Sequence, residues 1–192
     1  MNRHVNAIAG RLRLRPPQRR ALEILDRITE IVPPKKGADI AAALAVIRAE
    51  FPNVSDFERE FPSLCFALAT GVGKTRLMGA FISYLHLARG IGNFFVLAPD
   101  LTIYNKLIAA FTPNTPKYVF KGIAEFATDA PMVITGDNYE QTGSGTLFGG
   151  VRINIFNISK INSEVRGGKS PRIKRLSEYI GESYFDYLAG LP

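Results

Sequence analysis

The sequence predicts an α/β protein built on a mostly parallel sheet. Three observations carry that prediction: short apolar runs that do not alternate, apolar positions at helical spacing between them, and a glycine turn joining one such run directly to a helix. With 192 residues, 46% of them apolar and 21% charged, the chain has the composition of an ordinary folded protein and none of the bias of a disordered one.

Taken in order, Arg11 to Arg15 alternates basic and apolar side chains like a short strand and stops at Pro16 and Pro17. Ala21, Leu22, Leu25, Ile28 and Ile31 then recur at helical spacing until Pro33 and Pro34. Asp39 is placed to cap a second helix carrying Ile40, Leu44, Ile47 and Phe51, closed by Pro52. A polar stretch anchored by Phe57 and Phe61 leads into Ser63 to Ala69, read as a strand buried on both faces. The glycine turn follows, then a helix through Leu77, Phe81, Leu85 and Ala88 that ends at Gly90. Phe94 to Leu97 reads as a strand and Leu101 to Phe111 as a helix begun by Asp100. Tyr118 to Phe120, Met132 to Thr135 and Val151 to Phe156 read as further strands. Gly143, Gly145, Gly149 and Gly150 mark a turn before the last of these, Arg166 to Pro171 a basic loop, and Ile173 to Leu188 a final helix.

The 24 Lys and Arg residues against 17 Asp and Glu give a net charge of +7, unevenly spread. Residues 1–36 carry +6 and residues 160–175 carry +5, while the body between them is close to neutral. Two basic segments on a neutral body suit a polyanionic partner, and two merely solvated stretches are the open alternative. The longest wholly apolar run, Ile40 to Ile47, is too short to cross a bilayer, and the Arg-rich start lacks the apolar stretch of a signal peptide, so no membrane partner is expected. A single cysteine, Cys65, and two histidines, His4 and His86, exclude a disulfide framework and a Cys- or His-based metal cluster, and favour the reducing cytoplasm. Cys65 falls in the predicted buried strand and is read as a core thiol; His86 is read as structural.

The chemistry concentrates at Gly71-Val72-Gly73-Lys74-Thr75. Glycines let the backbone curl so that successive N–H groups face a phosphate, and the helix beginning here adds the positive end of its dipole. Lys74 is then placed to bridge terminal phosphates, and the Thr75 hydroxyl to ligate Mg²⁺. The pattern Gly-x-Gly-Lys-Ser/Thr arises by chance in roughly one chain per hundred at average composition, so its place between an apolar run and an amphipathic helix matters. The longer phosphate-loop pattern has glycine where this chain has Leu68.

The stretch from Phe66 to Met78, Phe-Ala-Leu-Ala-Thr-Gly-Val-Gly-Lys-Thr-Arg-Leu-Met, resembles the nucleotide motif of superfamily-two helicases. Within that group it most resembles the helicase-bearing Res subunit of type III restriction enzymes and related DEAD/DEAH-box-like proteins, in which the first loop position is commonly not glycine. The resemblance implies a three-layer RecA-like phosphate-loop domain preceded by an N-terminal helical region. It also implies ATP and Mg²⁺ as ligands, with Thr70, Gly71, Val72, Gly73, Lys74, Thr75 and Arg76 around the nucleotide and Thr75 on the metal. Leu14-Arg15-Pro16-Pro17-Gln18 resembles the family's adenine-reading element, which makes Gln18 the adenine reader and Arg15 a support of the loop. Without the resemblance, Gln18 is a polar residue in the first turn of a helix.

Ala98-Pro99-Asp100-Leu101-Thr102-Ile103 resembles the turn whose backbone and helix start contact nucleic-acid phosphates, placing Pro99, Leu101 and Thr102 near DNA. Val151 to Lys160 with the basic loop after it resembles the next such strand and turn. Lys160, Arg166, Lys169 and Arg172 would then be sequence-independent phosphate contacts to double-stranded DNA.

A motor of this class also needs a carboxylate pair, one member for Mg²⁺ and one for the attacking water. The sequence contains no Asp-Glu dipeptide, and Asp100 and Asp137 lie past turn residues, where they read as cap and turn formers. In the resembled family the carboxylate strand follows a helix like Ile173 to Leu188. The expectation is therefore an N-terminal piece of a longer polypeptide: residues 1–60 a basic arm and helices, residues 61–192 a first RecA-like domain incomplete at its C-terminal end. The remaining helicase and nuclease domains, and a DNA-modification subunit, are the implied partners. Such a piece binds nucleotide better than it hydrolyses it. Two rivals stay open. One is a small kinase or nucleotide hydrolase complete in itself, using Asp100 or Asp137 for Mg²⁺; the other is a non-catalytic nucleic-acid-binding module indifferent to ATP.

Overall fold

The computed structural model describes residues 2–35, 37–59, 61–135, 138 and 150–157. Of these, the residues up to Gly90, with Phe120–Ile123, form one compact unit; Ile91–Val119 and the described residues from Ala124 onward form another.

The first unit is helical. Helix α1 (Arg3–Arg11) starts where the Asn2 side chain accepts the His4 N–H, and it buries Val5, Ile8 and Ala9 with the following Leu12, a helical stripe. Its end is a paired turn: Arg13 N–H donates to Gly10 O and Leu14 N–H to Ala9 O, with Arg13 at φ +49°. This overturns the strand expected at Arg11 to Arg15. Five alternating residues do not make a strand without a partner to pair with, and the period of the preceding apolar positions is helical.

Helix α2 (Pro16–Ile31) begins with both prolines in its first turn and buries Ala21, Leu22, Leu25 and Ile28. Asp39 caps helix α3 (Ile40–Glu50), accepting the Ala42 N–H at 3.0 Å. Ile28, Ala43, Ile47 and Phe57 form a small core beneath α2 and α3. Outside it, Arg27 forks onto Glu50, with Nη2 2.7 Å from Oε2, and holds that carboxyl below the usual carboxylate range.

Helix α4 (Lys74–Arg89) packs against α1 and α2 and stops at Gly90, which takes φ +72°. A buried polar cluster ties these helices together. The Tyr84 hydroxyl, itself fully buried, donates to Asp26 Oδ1 at 2.7 Å and lies 3.1 Å from Thr29 Oγ1. Asn2 Nδ2 reaches the same Asp26 oxygen at 2.8 Å, and Arg89 Nε donates to both Thr29 Oγ1 and Tyr84 OH at 3.1 Å. Burial pushes the Tyr84 hydroxyl above its ordinary pKa.

The segment Ser63 to Ala69 is not a strand, contrary to the sequence reading. Among the described residues nothing pairs with it, so its backbone has no ladder to join. Leu64, Cys65, Ala67 and Ala69 are exposed, and Cys65 is therefore a surface thiol and not a core one. Phe66 is anchored edge-on to Phe81 of α4 with ring centroids 4.9 Å apart, and the Ser63 hydroxyl donates to Phe57 O.

Among the described residues the second unit holds a three-stranded, all-parallel sheet, as the apolar runs predicted, in the order β1 (Asn93–Ala98), β3 (Arg152–Asn157), β2 (Met132–Ile134). The central strand buries Ile153, Ile155 and Phe156 together with Asn154 and Asn157, the two-faced burial of a covered parallel strand. Asn154 satisfies part of its amide by donating to Phe94 O. At the sheet's edge β1 alternates, burying Val96 and Ala98 and exposing Phe95 and Leu97. Helix α5 (Leu101–Phe111) packs on β1 and β3 through Leu107, Ala110 and Phe111. Tyr118 to Phe120, expected as a strand, is a turn with no ladder partner among the described residues, and a four-residue helix α6 (Glu125–Thr128) follows it. The glycine turn 143–149, the basic loop 166–171 and the helix expected over 173–188 lie outside the described residues.

Candidate functional site

The glycine turn from Thr70 to Gly73 leads straight into α4, as its residues predicted, although the segment before it is extended and unpaired. Gly71 and Gly73 take φ +80° and +93°, a region costly for any residue with a Cβ. Gly73 is the N-cap of α4 and supplies no capping side chain, so the first-turn N–H groups have no side-chain acceptor there. Lys74 and Arg76 on that turn are exposed, and Thr75 is half-buried. Exposed glycines, a cation and a hydroxyl at the positive end of a sixteen-residue helix form a donor set for a polyphosphate with its divalent cation.

Two residues from the start of α2 reach this loop. Arg15 Nη1 donates to Gly71 O at 3.3 Å. Gln18 is 1% exposed; its Nε2 donates to Gly73 O at 2.8 Å, and its Oε1 accepts the Arg15 N–H at 2.7 Å. Gly73 O also accepts Leu77 N–H within α4. A Cβ at Gly73 would stand 2.8 Å from Gln18 Nε2, a second reason for glycine there. The structure therefore brings Gln18 and Arg15 to the loop residues and engages the Gln18 carboxamide on both its donor and its acceptor atom. These contacts span 55 and 56 residues of sequence and leave no local pattern.

Asp100 caps α5 by accepting the Ile103 N–H at 2.8 Å, as expected, and Pro99, Leu101 and Thr102 are exposed around that helix start, at the carboxyl end of β1. Asp137, Lys160, Arg166, Lys169 and Arg172 lie outside the described residues. His86 is half-buried on α4. The polar cluster around Tyr84 was not foreseen; its one sequence signal is the pair Asp26 and Thr29 interrupting the apolar face of α2.

A glycine turn of this geometry at the head of a helix, in a chain whose described residues are α/β with an all-parallel sheet, puts the protein in the class of phosphate-loop α/β proteins. The family model of the type III restriction enzyme res subunit matches residues 11–188, and the chain belongs to that family. Its domain is the helicase-like, ATP-dependent kind of superfamily two. No curated protein and no solved structure matches the chain.

Proposed function

We propose that the chain binds ATP with Mg²⁺ at Thr70 to Arg76 and serves as the nucleotide-binding part of a DNA translocase of the type III restriction enzyme kind. The observation that supports it is the loop itself: two glycines at positive φ immediately ahead of α4, whose first turn has no capping side chain. In this reading Lys74 neutralises the terminal phosphates, Thr75 supports the metal and Gln18 reads the adenine. Mg²⁺, when bound, neutralises phosphate charge and so favours attack at phosphorus.

Double-stranded DNA is the proposed macromolecular partner, held through its phosphates by Lys160, Arg166, Lys169 and Arg172 and by the helix start at Pro99, Leu101 and Thr102. Further helicase and nuclease domains and a DNA-modification subunit complete the proposed assembly, which works in the cytoplasm. With no Asp-Glu dipeptide in the sequence, nucleotide binding is expected to exceed hydrolysis by the chain alone. Calorimetric titration of MgATP into the parent and Lys74→Ala proteins tests the reading: the variant should bind at least tenfold more weakly, and equal affinity would refute it.

A further inference from the structure

We propose that the outward face of α1, with Arg13 at its end, is a further site for the phosphate backbone of double-stranded DNA, in addition to the α5 start and the basic loop. The inference rests on the reading of double-stranded DNA as the partner and adds a place where it is held.

Helix α1 buries Val5, Ile8 and Ala9, while Arg3, Asn6, Ala7, Gly10 and Arg11 are exposed. Counted from Arg3 these are positions i, i+3, i+4, i+7 and i+8, which share one face. The chain has no acidic residue before Glu23, and six arginines and no lysine precede it. The face is therefore cationic without an internal counter-charge on its own helix.

Three residues here work against the fold. Arg3 stands in the first turn of α1, where the helix dipole favours an acid. Gly10 lies inside the helix, where glycine is among the poorest choices, and an added Cβ would meet nothing within 4 Å, so no packing requires it. Arg13 takes φ +49°, in the turn where glycine is usual. Residues that the local structure disfavours, gathered on one exposed surface, mark a surface kept for what it touches.

The chemistry points to phosphate. A guanidinium presents a planar fork of donors that matches two phosphate oxygens at once. Arg3 and Arg11 are eight residues apart, about 12 Å along the helix axis, and phosphates recur every ~3.4 Å of axis along one strand, so the two arginines meet different phosphates. Between them Ala7 and Gly10 carry no long side chain, which leaves the sugar–phosphate backbone room to lie against the helix.

The test follows the fluorescence anisotropy of a labelled DNA duplex of arbitrary sequence over a salt series, with the parent, Arg3→Ala, Arg13→Gly and Arg48→Ala proteins, and a melt of each. Arg48 is exposed on α3, so its loss removes the same charge from another helix of the same unit. Arg3→Ala and Arg13→Gly should each lose about fivefold in affinity, and each should reduce the slope of log affinity against log salt by about 0.9. Both should melt no lower than the parent, so that affinity falls without any loss of structure, and Arg48→Ala should bind as the parent does. Parent-like affinity and slope in both variants, the result if this face meets an acidic protein instead, would overturn the proposal. So would an equal loss in Arg48→Ala, which would reduce the effect to net charge. A parent that binds no duplex refutes the DNA reading itself and is thereby told apart from failure of this site.

Discussion

At Gly73 two requirements meet in one residue. Its φ of +93° disfavours any side chain, and the space a Cβ needs is occupied by the Gln18 amide. Gly73→Ala should therefore cost about 1–2 kcal/mol in backbone strain, seen by denaturant unfolding, and should also weaken MgATP binding because the amide is displaced. Arg13 presents the converse case. It sits at φ +49° in the turn that ends α1, the place where glycine is usual. Arg13→Gly removes that strain but loosens the unfolded chain, so a net gain of about 0.5–1 kcal/mol is expected in urea unfolding.

Among the elements, the polar cluster joining α1, α2 and α4 is the clearest target. Tyr84→Phe removes the hydroxyl that bonds Asp26 and lies beside Thr29 and Arg89, at an expected cost of about 1–2 kcal/mol near neutral pH. Burial raises the Tyr84 pKa, so the folded state holds this proton more tightly than the unfolded one. The associated stability is fully present below about pH 10 and falls as pH rises through the folded value. The parent should thus lose melting temperature above about pH 10 more steeply than Tyr84→Phe does, while Tyr118, also raised by burial, contributes to the loss in both proteins. The elements also differ in how well they can be read from sequence. Helices α2, α3, α4 and α5 announce themselves by prolines, capping aspartates and a terminal glycine, all local signals. Strands β1 and β3 are legible as apolar runs. Ser63 to Ala69 is an equally good apolar run, yet being a strand depends on a partner, and pairing is decided far along the chain. Helix α1 has its period in Val5, Ile8, Ala9 and Leu12, but no proline or capping aspartate marks its start. In the site, the glycines, Lys74 and Thr75 are adjacent and were readable, whereas the reach of Arg15 and Gln18 to the carbonyls depends on how α2 packs.

For the molecule as a whole, a ligand that binds only the folded form stabilises it by mass action. MgATP at a hundred times the parent's Kd should add about 2.7 kcal/mol to the unfolding free energy of the parent and about 1.4 kcal/mol or less to that of Lys74→Ala. The proposed DNA contacts predict affinity that falls with salt, and Lys160→Ala should reduce the slope of log affinity against log salt by about 0.9. The surface position of Cys65 has a practical consequence. It is the sole cysteine of the sequence, exposed, and nine residues ahead of Lys74. One maleimide dye would therefore attach at one known place, five residues ahead of Thr70 in the sequence, and ligand occupancy could be followed by fluorescence without engineering a single residue.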